Sequence, residues 1–129
     1  MNIEFGRMVM LVRDYDEALD FYKTNFNAKI LFDEDSSFGL RFLHVGIGNG
    51  EAGIWFLKAD GKQQEQLVGS QTHQQPAMVL YTDDIDTMYE RLLANNVRIE
   101  IAPVDSPHYS FLHCYDLYGN EIVIVQLKQ

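Results

Sequence analysis

The chain has 129 residues, 47% of them apolar and 12% aromatic, which is enough for one sizeable core and excludes a disordered chain. Ten Lys and Arg against 19 Asp and Glu give a formal charge of −9. That argues against a nucleic-acid partner and an anionic membrane surface, both of which need clustered cations. Cys114 is the single cysteine, so no intrachain disulfide can form, and a reducing, cytoplasmic setting is expected. It lies in an apolar run with no activating base beside it and reads as an inert buried thiol. Glu4 and Arg7 interrupt the N-terminal stretch, which is neither a signal peptide nor a membrane span.

Ile3 to Val12 reads as a strand. Asp14 then offers a side-chain oxygen to the free amides of a helix, with Glu17 at the capping-box position. That helix reaches about Phe26 and buries Tyr15, Ala18, Leu19 and Tyr22 at helical spacing. Strands follow at Lys29 to Asp33, Gly39 to Val45 and Gly53 to Lys58. Gly46, Gly48, Asn49 and Gly50 turn the last two into a hairpin. The first half is βαβββ.

Ala59 to Pro76 is polar, holds six glutamines and shows no periodicity. It reads as a connector, either a crossing linker or a partly ordered lid. Ala77 to Thr82 is the next strand. Asp83 or Asp84 caps a helix with the stripe Ile85, Met88, Tyr89, Leu92 and Leu93. Arg98 to Ile101 is a strand, and Pro103 and Pro107 hold a loop. Tyr109 to Tyr115 and Glu121 to Leu127 form a hairpin around Asp116-Leu117-Tyr118-Gly119-Asn120, where Gly119 and Asn120 are expected at positive φ.

The halves repeat one pattern. Met8 to Asp14 sits over Met78 to Asp84 at an offset of 70. Asn27-Ala28-Lys29-Ile30 matches Asn96-Val97-Arg98-Ile99 at 69, and Phe42-Leu43-His44 matches Phe111-Leu112-His113 at 69. Ile54 to Lys58 sits over Ile124 to Lys128 at 70. One supersecondary unit is used twice. The expected fold class is α+β: two βαβββ modules, 1–58 and 77–129, joined by 59–76 and forming curved mixed sheets around a cleft.

With Val12-Arg13-Asp14 leading to Phe21-Tyr22, and with the closing Asp116 to Asn120, this doubled pattern resembles the vicinal oxygen chelate superfamily. That group holds glyoxalase I, extradiol dioxygenases, fosfomycin-modifying enzymes and bleomycin resistance proteins. The resemblance covers nearly the whole chain, and the fold hosts unrelated activities. In metal-dependent members it implies His, Gln or Glu at the start of each module's first strand and Glu or a similar ligand in its last. Those positions carry Arg7, Ala77, Val123 and, by the offset of 70, Gly53. Arg is a permanent cation, and the others have no ligating side-chain atom. His44 and His113, repeat mates on penultimate strands, are the remaining start for a metal site, and a packed histidine is the commoner reading of each. No Cys-x-x-Cys, Ser-His-Asp spacing or phosphate-cradling loop is present.

Strand alternation puts Phe5, Arg7, Val9 and Leu11 towards the cleft, with Gly53, Trp55 and Leu57. From the second half it adds Ala77, Val79 and Tyr81, then Glu121, Val123 and Val125. Met8, Met10, Val12, Ile54, Phe56, Ile122 and Ile124 take the helix side. The lining suits a small-molecule pocket, with Trp55 and Tyr81 to stack on a planar guest and Arg7 to hold a carboxylate or carbonyl oxygen. Arg7, Leu11, Trp55, Tyr81, His113 and Val123 are the expected cleft residues, with no catalytic residue, metal or cofactor. The leading expectation is a metal-free binding protein resembling the bleomycin resistance branch, a homodimer taking a small-molecule ligand. The alternative is a divalent-metal-dependent lyase, isomerase or dioxygenase with unconventional ligands. A third is a subunit or regulator whose cleft is plugged by Trp55 and Tyr81.

Overall fold

The computed structural model describes all 129 residues, in two compact units, Met1–Val68 and Gly69–Gln129. No helix is long and apolar enough to cross a membrane.

The first unit contains β1 (Arg7–Val12), α1 (Tyr15–Phe26), β2 (Lys29–Asp35), β3 (Arg41–Gly46), β4 (Gly53–Lys58) and α2 (Gly61–Leu67). Its strands lie in the order β1-β4-β3-β2, with β1 parallel to β4 and the rest antiparallel. Asp14 starts α1 as expected: its carboxylate accepts from the Glu17 amide at 2.9 Å, and Asp16 and Glu17 complement the helix dipole. Asn27 ends the helix in the left-handed region at φ 55°, donating its amide to Tyr22. Tyr22 is fully buried, its ring 5.5 Å from Phe56 and its hydroxyl 3.5 Å from Met10 Sδ. Val12, Leu43, Val45 and Ile54 complete this core.

The second unit contains β5 (Met78–Tyr81), α3 (Ile85–Ala94), β6 (Ile99–Asp105), β7 (Tyr109–Tyr115) and β8 (Glu121–Leu127). Its order, β5-β8-β7-β6 with β5 parallel to β8, is that of the first unit. Asp84 caps α3 through the Thr87 amide at 3.0 Å, and the Gln126 amide oxygen accepts from Ile85 at 2.8 Å. Leu92, Leu112, Cys114, Ile122 and Ile124 are the core. Asn96, 69 residues after Asn27, is again left-handed at φ 58°. In the closing turn Asp116 is the hub. Its side chain accepts from the amides of Tyr118 and Asn120, both at 2.9 Å, and from the Asn120 side chain at 2.8 Å.

Several expectations are corrected. β1 begins at Arg7, so Phe5 precedes the strand and is 70% exposed, and Met8, expected under the helix, is 37% exposed. Only Gly119 of the closing turn has positive φ, at 98°; Asn120 is buried on Asp116 instead. Pro103 lies inside β6, an edge strand whose register slips between Ile101 and Val104, where a missing amide costs no ladder bond. Residues 61–67 of the polar connector form α2, built from good helix formers but with no buried residue, so no apolar stripe announced it.

The repeat offset in the last strand is also corrected. His44 pairs with Trp55, and His113 pairs with Val123. The counterpart of Trp55 is therefore Val123, at 68, and Gly53 corresponds to Glu121. The first hairpin is one residue longer between these partners. Apolar alternation has period two, so a slip of two residues left the pattern intact.

Phe56→Ala is expected to cost about 3–5 kcal/mol, the range for emptying a buried aromatic site. A Cβ on Gly53 would lie 2.1 Å from the Val45 carbonyl oxygen, whereas one on Gly50 meets nothing within 4 Å. Gly53→Ala is expected to lose about 1–3 kcal/mol by overpacking, and Gly50→Ala less than about 0.5 kcal/mol. Urea unfolding midpoints check all three.

Candidate functional site

In each unit one sheet face packs against the helices and the other is open. The first sheet's open face carries one residue from every strand in a single row, Val9–Trp55–His44–Phe32, set by the register. Three of the four are rings. His44 lies 5.3 Å from Trp55 and 5.4 Å from Phe32, and Phe42 lies 6.1 Å from Trp55, centroid to centroid. Val9 is 41% exposed and Phe32 40%, so this apolar row is uncovered at both edges.

Arg7 closes one end of the row. Its Nε–H donates to His44 Nδ1 at 3.1 Å, and one terminal nitrogen donates to the Gly6 and Glu51 carbonyls at 2.9 and 2.6 Å. A ring nitrogen that accepts carries no proton, so neutral His44 must carry its proton on Nε2. Burial, and then the Arg7 charge, hold the imidazole below its ordinary pKa. The Trp55 indole nitrogen is buried and has no hydrogen-bond partner. An unmet buried donor costs about 1–3 kcal/mol. A hollow of about 400 Å³ adjoins Arg7, lined also by Glu4, Phe5, Leu31 and Glu51.

The second sheet's open face repeats the row as Val79–Val123–His113–Ile101. Here His113 Nδ1 lies 2.6 Å from a Glu121 carboxylate oxygen. Phe111 packs edge-on to His113 at 5.7 Å, and Tyr81 is 71% exposed. His44 thus receives a donor, and His113 meets a charged acceptor. Cys114 is buried on the helix side, its thiol pushed up to about 12 by burial and by Asp116, too high for a nucleophile at neutral pH.

The structure gathers Arg7 and Trp55 around His44, and pairs His113 with Val123. Leu11 is 8% exposed, two residues beyond Val9 on β1, and Tyr81 is two beyond Val79 on β5. His44 as a ring of this face, Phe32 and Glu121 as the His113 partner went unread. The register slip at Leu31 hides Phe32, and the two-residue error in the repeat offset hides Glu121.

A family model described as the Glyoxalase/Bleomycin resistance protein/Dioxygenase superfamily matches residues 4–124. The chain belongs to this superfamily. A protein of Shewanella frigidimarina (strain NCIMB 400) is 25% identical over 130 residues, covering 99% of this chain and 96% of its own. TnmS3, an antibiotic binding protein from Streptomyces sp. CB03234, superposes with a TM-score of 0.79 at 23% identity, over 98% of each chain. FosX, the fosfomycin resistance protein of Listeria monocytogenes, gives 0.71 at 13%, over 99% of this chain and 96% of its own. At these identities the superpositions establish the fold alone.

The positions where the superfamily resemblance implies metal ligands do not fit a metal. They carry Arg7, Ala77, Val123 and, by the corrected offset, Trp55. Arg and Trp only donate hydrogen bonds, and Ala and Val have no ligating side-chain atom. His44 already gives its one lone pair to Arg7. No group of three or more His, Cys, Asp or Glu side chains converges to hold an ion.

Because His44 is held below its ordinary value, protonating it costs the folded chain more than the unfolded one. Its contribution to stability is full above about pH 6.5 and is lost as pH falls through the lowered folded value. Between about pH 7.5 and about pH 5 the wild type is expected to lose more stability than His44→Gln, by urea midpoints. Equal losses in the two proteins would contradict a His44 held neutral.

Proposed function

We propose that this superfamily member is a cytoplasmic, homodimeric protein that binds a planar small molecule without a metal and without transforming it. One observation carries the reading: three of the four side chains across the first sheet's open row, Trp55, His44 and Phe32, are rings. In keeping with it, the superfamily's ligand positions hold side chains that cannot coordinate. Aromatic walls with a few fixed polar groups are the composition of small-molecule sites. The open faces of both sheets expose Val9, Phe32, Val79 and Tyr81, apolar side chains that a partner could cover. A second copy covering these faces would complete the site, as two-fold pairing does in many oligomers. TnmS3, which shares this fold, is an antibiotic binding protein, and such a role fits.

Trp55 is the only tryptophan, so its fluorescence reports on this face alone. A panel of planar drug-like and metabolite compounds is expected to contain members giving a saturable change at micromolar concentration. A ligand at one hundred times its Kd should also add about 2.7 kcal/mol of stability. Silence of Trp55 across a broad panel would sink the reading. In parallel, protein exposed to zinc, nickel, manganese and iron(II) and then desalted is expected to retain less than about a tenth of an equivalent, since a bound ion needs three or four converging ligands. Retention near one equivalent, lost in His44→Ala or His113→Ala, would favour a metal-dependent lyase or dioxygenase instead.

A further inference from the structure

The first sheet's open face is polarised along its strands. On one side of the aromatic row stand Leu11, Leu57 and Phe42, with Glu34 at the edge, paired to Phe42. On the other side the register runs Arg7–Gly53–Gly46–Lys29, a cation on each edge strand and two glycines between. The glycines are needed there. A Cβ on either would meet the Leu31 side chain at 3.0 Å or less, so Leu31 fills the space between the two cations.

The charges at that end are unspent. Ion pairs join Arg41 to Asp16 and Asp33, and Lys128 to Asp105, and His113 lies against Glu121. Arg7 takes part in none: its partners are one ring nitrogen and two backbone carbonyls. In a chain with 19 acids against ten Lys and Arg, a half-buried guanidinium without a carboxylate stands out against the composition. Glu4 and Glu51 share the adjoining hollow, but their side chains are exposed and form no ion pair with Arg7, so solvent screens them. The other polar groups of the ring row are donors: His44 Nε2–H, fixed by Arg7, and the unmet Trp55 N–H.

We infer that this face selects a planar aromatic carboxylate, its rings along the Phe32–His44–Trp55 row and its carboxylate towards Arg7. The inference rests on the proposed binding role and adds the chemical class of the ligand. It runs against the −9 net charge, which by itself would favour a cationic guest. The local donors decide, because a guanidinium and a carboxylate form charge-assisted bonds at contact, while distant exposed acids are screened.

Three probes of one shape test it: 2-naphthoate, 2-naphthamide and 2-naphthylmethylammonium. Each is titrated into the full-length protein at low salt and followed by calorimetry and by the single indole N–H resonance of Trp55. The expected order is carboxylate, amide, ammonium, with at least a tenfold gap between the ends, narrowing in Arg7→Gln and at high salt. An ammonium that binds as tightly as the carboxylate, or a gap unchanged in Arg7→Gln, overturns the carboxylate class while leaving planar binding standing. Silence of all three at millimolar concentration overturns both. If Arg7→Gln does not fold, the exposed Lys29→Glu replaces it: a narrowed gap supports the inference, and an unchanged gap overturns it.

Discussion

The parallel pairing of the first and last strands in each unit is the constraint on which the rest depends. A parallel pair cannot be closed by a tight turn, so the chain must leave the sheet and return, and each unit does so through a helix and two further strands. The helix covers one face and spends the buried set on it: Val12, Leu43 and Phe56 against Tyr22 in the first unit, and Leu112, Ile122 and Ile124 with Leu92 in the second. Alternation then sends every other side chain to a face that no element of the same unit covers. The open faces follow from the topology and are not an accident of loop placement.

Much of this was legible in sequence because the same physics wrote it twice. The capping aspartates Asp14 and Asp84 and the repeat mates Asn27 and Asn96, and Leu43 and Leu112, answer local demands of helix ends and core rows, and local demands leave local signatures, although the left-handed turn at each Asn emerged only in the structure. What stayed hidden depends on registration between strands. A strand of alternating apolar residues looks the same after a slip of two, so the one-residue difference between hairpins is invisible until pairing is known. That slip decides whether Val123 answers to Gly53 or to Trp55. For the same reason Glu121, the partner of His113, was not readable as one. Helix α2 escaped for the opposite reason: it buries nothing, and periodicity reports only burial.

Within the site, Arg7 acts on metal chemistry in two ways. It occupies a position where a ligand would stand, and a guanidinium keeps its proton under all ordinary conditions. It also engages the Nδ1 lone pair of His44, which leaves that imidazole a proton on Nε2 where an ion would need electrons. Arg7 and Trp55, at the two positions of this sheet where the resemblance implies ligands, are both side chains that only donate hydrogen bonds.

The second sheet shows that this outcome is not inherent in the repeat. With Ala77 in place of Arg7 and Glu121 in place of Gly53, His113 keeps the same central place but sets its Nδ1 against a Glu121 carboxylate oxygen instead of a guanidinium. The two units share their backbone plan, their buried rows and their central histidines, yet set those histidines against different partners, a guanidinium in one and a carboxylate in the other. The difference is carried by residues at the ends of strands, where core packing imposes little. Duplicated cores can therefore hold one architecture while the strand ends beside the central histidines set what each face accepts.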